Sequence, residues 1–429
     1  MFEKLSILPL SSFIRNKSIQ NFLFLSVIQS SNVLISIITM PLLIQGIGLD
    51  QFGLVNLSLS VIVLMNILVG FGYNLSSPRE VALNQKNKNA LSHLVSNVFS
   101  AKLLLATLGS LLIFVGVFGL DLFSEYQIIL VYSVLLLFSE ATLPLWFFQG
   151  MEKMKLVSIA NIFSKLLYLM GIVLFIHSPE QSKWVNFMLG FFGLGINISL
   201  LVYIHYFLGV TFYRPEFGAI WKSIQDNVLL FFSNLASHIS TNGGLIILSF
   251  FTIPETLGMY SLAERVIIIL RLFPSLIVQA VFPNASKLFK ENEERFYFFL
   301  KRVYIRTLIL GALITVGTYF CAPWIIRVLS RSSLQESVLY LQILSAVPLL
   351  ACLNVGNITL MLVGDLKNLL FRGSLYMCIC MISIAALLTY FYGPVGLCYA
   401  IISTELIVFF ICLVLLYRHK RKLIHGFYF

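Results

Sequence analysis

Long apolar runs joined by short polar stretches recur along this chain, and no run shows the strict alternation of a half-buried strand. A helix needs about 20 apolar residues to cross a bilayer. Runs of that size lie near 22–44, 52–73, 94–120, 126–148, 156–177, 184–207, 228–252, 258–283, 303–327, 337–363, 369–391 and 395–416. The pattern predicts an all-α polytopic membrane protein with twelve transmembrane helices. The first run is too long for a signal h-region and lacks a small-residue cleavage site, so it reads as a span and no cleavable signal is expected.

The chain also repeats itself. Ser18-Ile19-Gln20 recurs as Ser223-Ile224-Gln225, and at the same offset Gly53 matches Gly258, Leu57 matches Leu262, and Val61-Ile62 matches Val266-Ile267. A duplicated six-helix unit explains this spacing. It divides the chain into a six-helix lobe at 1–207, a cytoplasmic linker at 208–222 and a second six-helix lobe at 223–429. Six is even, so two parallel bundles are expected.

Charge tests the topology, because Lys and Arg in short loops stay on the cytoplasmic side. Of 29 basic residues, 22 fall in the N-terminal segment, the even-to-odd loops and the C-terminal tail. Only Lys183, Arg327 and Arg331 fall on the other side, while Lys102, Lys165, Arg265 and Arg271 lie within spans. Both termini are therefore expected in the cytoplasm. The net charge of +11 follows from this bias and from an anionic leaflet, so it carries no argument for nucleic acid.

Composition agrees: 59% of residues are hydrophobic and 11% charged, against roughly 25% charged in a soluble domain. Six cysteines, all in apolar segments of the second half, lack metal-ligand spacing and read as small packing residues. External connections such as 46–51, 121–125, 252–257 and 391–394 are too short to hold a catalytic domain, and no Gly-rich phosphate cradle of the P-loop type occurs. No cofactor or metal is called for. Secondary transport is the function class that remains.

Polar groups inside the membrane mark a pathway, because each is costly unless it faces water or a partner. In the seventh span Asn227, Asn234, His238, Thr241 and Asn242 share one helical face, and in the first span Asn21, Gln29, Asn32 and Ser36 do the same. These stripes read either as a cavity lining or as helix-packing glue. Arg271 sits deep in the eighth span and Lys165 at the middle of the fifth, with Asn161 one turn before it. Each needs either a substrate or an ion-pair partner. Lys102 and Arg265 lie nearer a membrane face and can snorkel. The intramembrane carboxylates Glu140, Glu264 and Glu405 are candidate gradient-coupling groups or counter-ions.

Several stretches carry a family resemblance. Gly48-Leu49-Asp50-Gln51-Phe52-Gly53-Leu54, then Gly70-Phe71-Gly72 and Arg79-Glu80-Val81-Ala82, resemble the first helical hairpin of polysaccharide exporters and O-antigen flippases. Trp146-Phe147-Phe148-Gln149-Gly150-Met151-Glu152-Lys153 is similar to the loop after their fourth helix. Leu257-Gly258-Met259-Tyr260-Ser261-Leu262-Ala263-Glu264 and Tyr392-Gly393-Pro394-Val395-Gly396 extend the likeness to the second half.

The resemblance implies a V-shaped pair of bundles like those of multidrug exporters of the same superfamily. It also implies alternating-access transfer of an undecaprenyl-diphosphate-linked oligosaccharide to the outer leaflet of the bacterial inner membrane. Membrane lipids, a polysaccharide polymerase and a chain-length regulator would be its partners. Arg271, Lys165, Asn161, Gln29, Asn32, Asn234, His238 and Asn242 would line the lumen, the cations meeting the diphosphate. A cation-coupled drug or metabolite antiporter on the same scaffold is an alternative, although its usual first-helix carboxylate is missing here. A membrane glycosyltransferase or polymerase is a third, set against the short external loops.

Overall fold

A computed structural model describes residues 17–120, 124–214 and 217–428. Among them every regular element is helical: α1 (Lys17–Gly70), α2 (Tyr73–Asn84), α3 (Lys88–Phe114), α4 (Gln127–Ser133), α5 (Leu135–Thr142), α6 (Leu145–Gly150), α7 (Met154–Phe175), α8 (Ser182–Tyr206), α9 (Phe217–Asn242), α10 (Gly244–Ser249), α11 (Pro254–Glu291), α12 (Glu293–Ser330), α13 (Gln335–Leu344), α14 (Val347–Val363), α15 (Lys367–His419) and α16 (Arg421–Tyr428). Nine helical stretches among the described residues are long and apolar enough to cross a membrane. The two longest, Leu23–Asn84 and Asn368–His419, hold 62 and 52 residues and contain two expected spans each. The helix α9, continued by α10, occupies the place of the seventh expected span.

The breaks have local causes. Within α1 the backbone leaves helical geometry at Gly48 (φ 84, ψ 168), and within α15 at Gly393 (φ 57, ψ −140), conformations that a Cβ makes costly. Pro144 and the extended Leu143 interrupt the fourth apolar run between α5 and α6. Expected loops are shorter than the hydropathy pattern suggests, since α2, α11 and α12 continue as helix through stretches too polar to read as membrane spans.

The described residues fall into two compact units, one within 1–46 and 61–232, the other within 47–60 and 233–429. The first is centred on Trp146, Phe147, Phe148, Val81, Leu91 and Val95. Here two stretches that carry the family likeness meet: a Cβ on Gly150 would stand 2.6 Å from the Pro78 carbonyl oxygen and from the Val81 Cβ. The α2–α6 approach therefore requires glycine, and Gln85 Nε2 donates to the Gly150 carbonyl at 2.7 Å. The segment at 210–213 packs on α3, with the Thr211 and Tyr213 amides donating to Ser92 and Ser96 hydroxyls.

The second unit is centred on Ala285, Phe296, Leu300, Met361, Leu416 and Phe427. It takes in 47–60 because the two glycines matched by the internal repeat lie against each other. A Cβ on Gly53 would stand 2.5 Å from the Gly258 nitrogen and 2.7 Å from the Pro254 carbonyl oxygen. Small residues at such a crossing let two helix backbones approach closely.

Candidate functional site

In the first unit α7 is fastened to α1 by two hydroxyls, one from each helix. Ser158 Oγ donates to the Phe24 carbonyl at 3.1 Å, and Ser31 Oγ donates to Asn161 Oδ1 at 3.3 Å. One turn beyond Asn161 stands Lys165, half-buried, with neither a carboxylate nor a hydrogen-bond partner among the described residues. On α1 Gln29 is half-buried and Asn32 exposed, while the side chain of Asn21 lies outside the described ones.

The other intramembrane cation of this unit behaves differently. Lys102 is 0% exposed, so it does not snorkel as its depth suggested; its ammonium stands 3.6 Å from Glu140 Oε1. Reaching the aqueous face would take the long side chain out of a closely packed α3–α5 contact, and the half-buried Glu140 carboxylate offers the nearer compensation.

In the second unit Arg271 Nη2 donates to Glu405 Oε1, joining α11 to α15. Glu264, two turns before Arg271 on α11, is not the arginine's ion-pair partner. It is buried instead in the fields of Arg265 and Arg271, and a Cβ on Gly244 would meet both its Oε1, at 3.5 Å, and the Tyr260 hydroxyl, at 3.6 Å. Arg265 is turned to Asn56, whose Oδ1 accepts from Nε at 2.9 Å and from Nη2 at 2.7 Å.

The α9 stripe divides. Asn227 is buried, donating to the Ser223 carbonyl and lying under Gly72, so it packs rather than lines a cavity. Further along, Asn242 Nδ2 donates to Thr241 Oγ1 at 2.9 Å and stands 3.4 Å from Nδ1 of the exposed His238; Asn234 is half-buried.

Thus the unit holding 233–429 brings together His238 with Asn242, and Arg271 with Glu405, and the unit holding 61–232 places Asn161 beside Lys165. Asn56 and Tyr260 escaped the sequence reading. Asn56 carried a signal, an amide inside an apolar run within reach of the duplicated glycine. Tyr260 stood within a stretch that carries the family likeness, with only a phenol among apolar neighbours to mark it. No group of three or more His, Cys, Asp or Glu that could hold a metal occurs among the described residues.

Residues 18–289, more than half of the chain, match the family described as "Polysaccharide biosynthesis protein". The chain is 28% identical over 397 residues to a protein of Shigella dysenteriae named "Putative O-antigen transporter", covering 91% of this chain and 97% of that one. It is 22% identical over 406 residues to a protein of the same name from Escherichia coli K12, with coverage of 94% and 97%. Among solved structures it resembles the lipid II flippase MurJ in an inward closed conformation (TM-score 0.71, 16% identity, 94% of this chain and 89% of that chain). It also resembles an inward-facing multidrug resistance MATE family transporter of the MOP superfamily (TM-score 0.71, 12% identity, 95% and 98%). At these identities the solved structures establish the fold, an all-α polytopic membrane fold of the MATE kind.

Proposed function

The chain belongs to the polysaccharide biosynthesis protein family, and on that premise we propose that it is a flippase for a lipid-linked polysaccharide unit. In its finer form, the proposal is that an undecaprenyl-diphosphate-linked oligosaccharide, an O-antigen or related repeat unit, moves from the cytoplasmic to the periplasmic leaflet of the bacterial inner membrane by alternating access. The reading draws on the named transporter relatives and on the flippase and exporter folds.

The observation that carries it is Lys165. A cation at mid-helix costs roughly 2.5–3.5 kcal/mol on insertion scales, and this one has no carboxylate to offset that cost among the described residues. A diphosphate passing the site supplies the missing counter-charge. Asn161 and Ser31 beside it offer an amide donor and a hydroxyl for ester or sugar oxygens. The diphosphate is the group hardest to bring through hydrocarbon, and a cation without a carboxylate suits its passage.

Arg271 enters this proposal as a secondary contact, exchanging Glu405 for the diphosphate during transport. Glu140 and Glu405 are each committed to a cation, so proton or sodium coupling, where it exists, falls to Glu264.

The test is transport in a strain deleted for the gene and complemented with variants. Lys165→Ala should leave lipid-linked repeat units accumulating on the cytoplasmic leaflet, and Lys165→Arg should restore most surface glycan. Full activity of Lys165→Ala at normal membrane abundance would overturn the role of Lys165. Normal surface glycan without accumulation in the deletion itself would overturn the flippase reading.

A further inference from the structure

Two of the three basic residues that break the charge bias, Arg327 and Arg331, stand together at the far end of α12. That helix opens on Glu293 and Glu294 and then carries Arg295, Lys301, Arg302 and Arg306 in its first half. From Arg306 to Arg327 it rises about 32 Å at 1.5 Å per residue, the thickness of a hydrocarbon core of about 30 Å. Arg327 is thus at the polar interface opposite the basic stretch, and the exposed Trp324 one turn before it is an interfacial anchor residue.

A cavity of about 200 Å³ opens at this level. Its lining combines the polar Arg327, Ser332, Ser333 and Gln335 with apolar residues that include Ile326, Leu334 and Val338. Arg327 is exposed and has no ion-pair or hydrogen-bond partner among the described residues. The turn above it is built, not loose: Arg331 takes a left-handed conformation (φ 53), and Ser330 Oγ donates to the Ser332 carbonyl at 2.9 Å and accepts from the Ser332 amide at 3.2 Å. Next, α13, with Leu334 at its N-cap, has no side-chain cap, so its first-turn amides lack an intrahelical acceptor beside the cavity-lining Leu334 and Gln335. The nearby Glu336 carboxylate, which is not among the lining residues, accepts from the Tyr340 hydroxyl at 2.9 Å.

We propose that this cavity binds the phosphate of an anionic phospholipid headgroup at the membrane face opposite the basic stretch of α12. A guanidinium, two hydroxyls and uncapped amides suit a phosphate, and the apolar lining residues suit the start of an acyl chain. Sites for drug-sized ligands run roughly 300–1,000 Å³, so at about 200 Å³ this one is matched to a headgroup. The charge at Arg327, against the bias of the other loops, then has a use. The site needs only the membrane placement of α12 and is independent of the transport reading.

The experiment is lipid retention by the purified, delipidated full-length protein, read by native mass spectrometry with phosphatidylglycerol, phosphatidylcholine and undecaprenyl diphosphate. Phosphatidylglycerol should be retained over phosphatidylcholine. Arg327→Ala should lower that retention about tenfold, the factor that about 1.4 kcal/mol corresponds to. Arg327→Lys should keep part of it, and Lys290→Ala, an exposed cation elsewhere, should change nothing. Equal retention of the two phospholipids, or unchanged retention in Arg327→Ala, overturns the site. Displacement of phosphatidylglycerol by undecaprenyl diphosphate through Arg327 overturns the phospholipid assignment and makes the cavity a cargo contact.

Discussion

Three intramembrane cations of one kind of sequence context meet three different fates. Lys102 is wholly buried against Glu140, Arg271 is held by Glu405, and Lys165 stands without a carboxylate among the described residues. The Arg271–Glu405 pair yields a stability prediction separate from transport. Removing one member of a buried pair leaves an uncompensated charge and costs about 3–5 kcal/mol, whereas replacing both by apolar residues is often neutral. Glu405→Ala should therefore lower the melting temperature in detergent well below that of the Arg271→Met, Glu405→Met double variant. Equal destabilisation by the single and double changes would show that the pair is not coupled. The same logic predicts little loss of stability in Lys165→Ala, since no carboxylate is left behind; a large drop in melting temperature would reveal a structural role instead.

At the scale of elements, the glycines of the repeat decide how closely α1 and α11 can cross. Gly53→Ala and Gly258→Ala each force a Cβ into the other helix's backbone, and overpacking of this kind costs typically about 1–3 kcal/mol. Both variants should melt earlier. Gly195→Ala is the contrast: a Cβ there meets nothing within 4 Å, and alanine is favoured over glycine in a helix interior by roughly 0.5–1 kcal/mol. It should melt at the same temperature or slightly higher. If all three variants behave alike, the crossing does not depend on the absence of a side chain.

For the whole molecule, the order of apolar crossings and the charge bias predict that Asn87 and Ser178 face opposite sides of the membrane. With the six natural cysteines replaced, Asn87→Cys should react with an impermeant maleimide only after permeabilisation, and Ser178→Cys in intact cells. The reverse pattern would invert the topology and with it the direction proposed for transport. Coupling belongs to this scale too: in vesicles Glu264→Gln should remove the dependence of transport on an imposed ion gradient, whereas unchanged dependence would leave Glu264 a structural neighbour of Arg265 and Arg271.

Much of this protein was legible along the chain. The membrane environment and the helical crossings depend on composition, hydropathy and spacing, which are local properties summed along a sequence. Even the break points at Gly48, Pro144 and Gly393 stand in the sequence as residues with special backbone freedom or constraint. What only tertiary structure decided is which groups meet. Arg271 and Glu405 lie 134 positions apart, and Glu264, seven residues away, was the nearer acid on paper; helix rotation and packing chose between them. The same holds for Lys102, whose depth alone suggested snorkelling until packing closed over it, and for Asn227, which shares a helical face with Asn234 and His238 but lies under Gly72. Periodicity places residues on a face of a helix, and only the neighbouring helices determine whether that face is covered, paired or open.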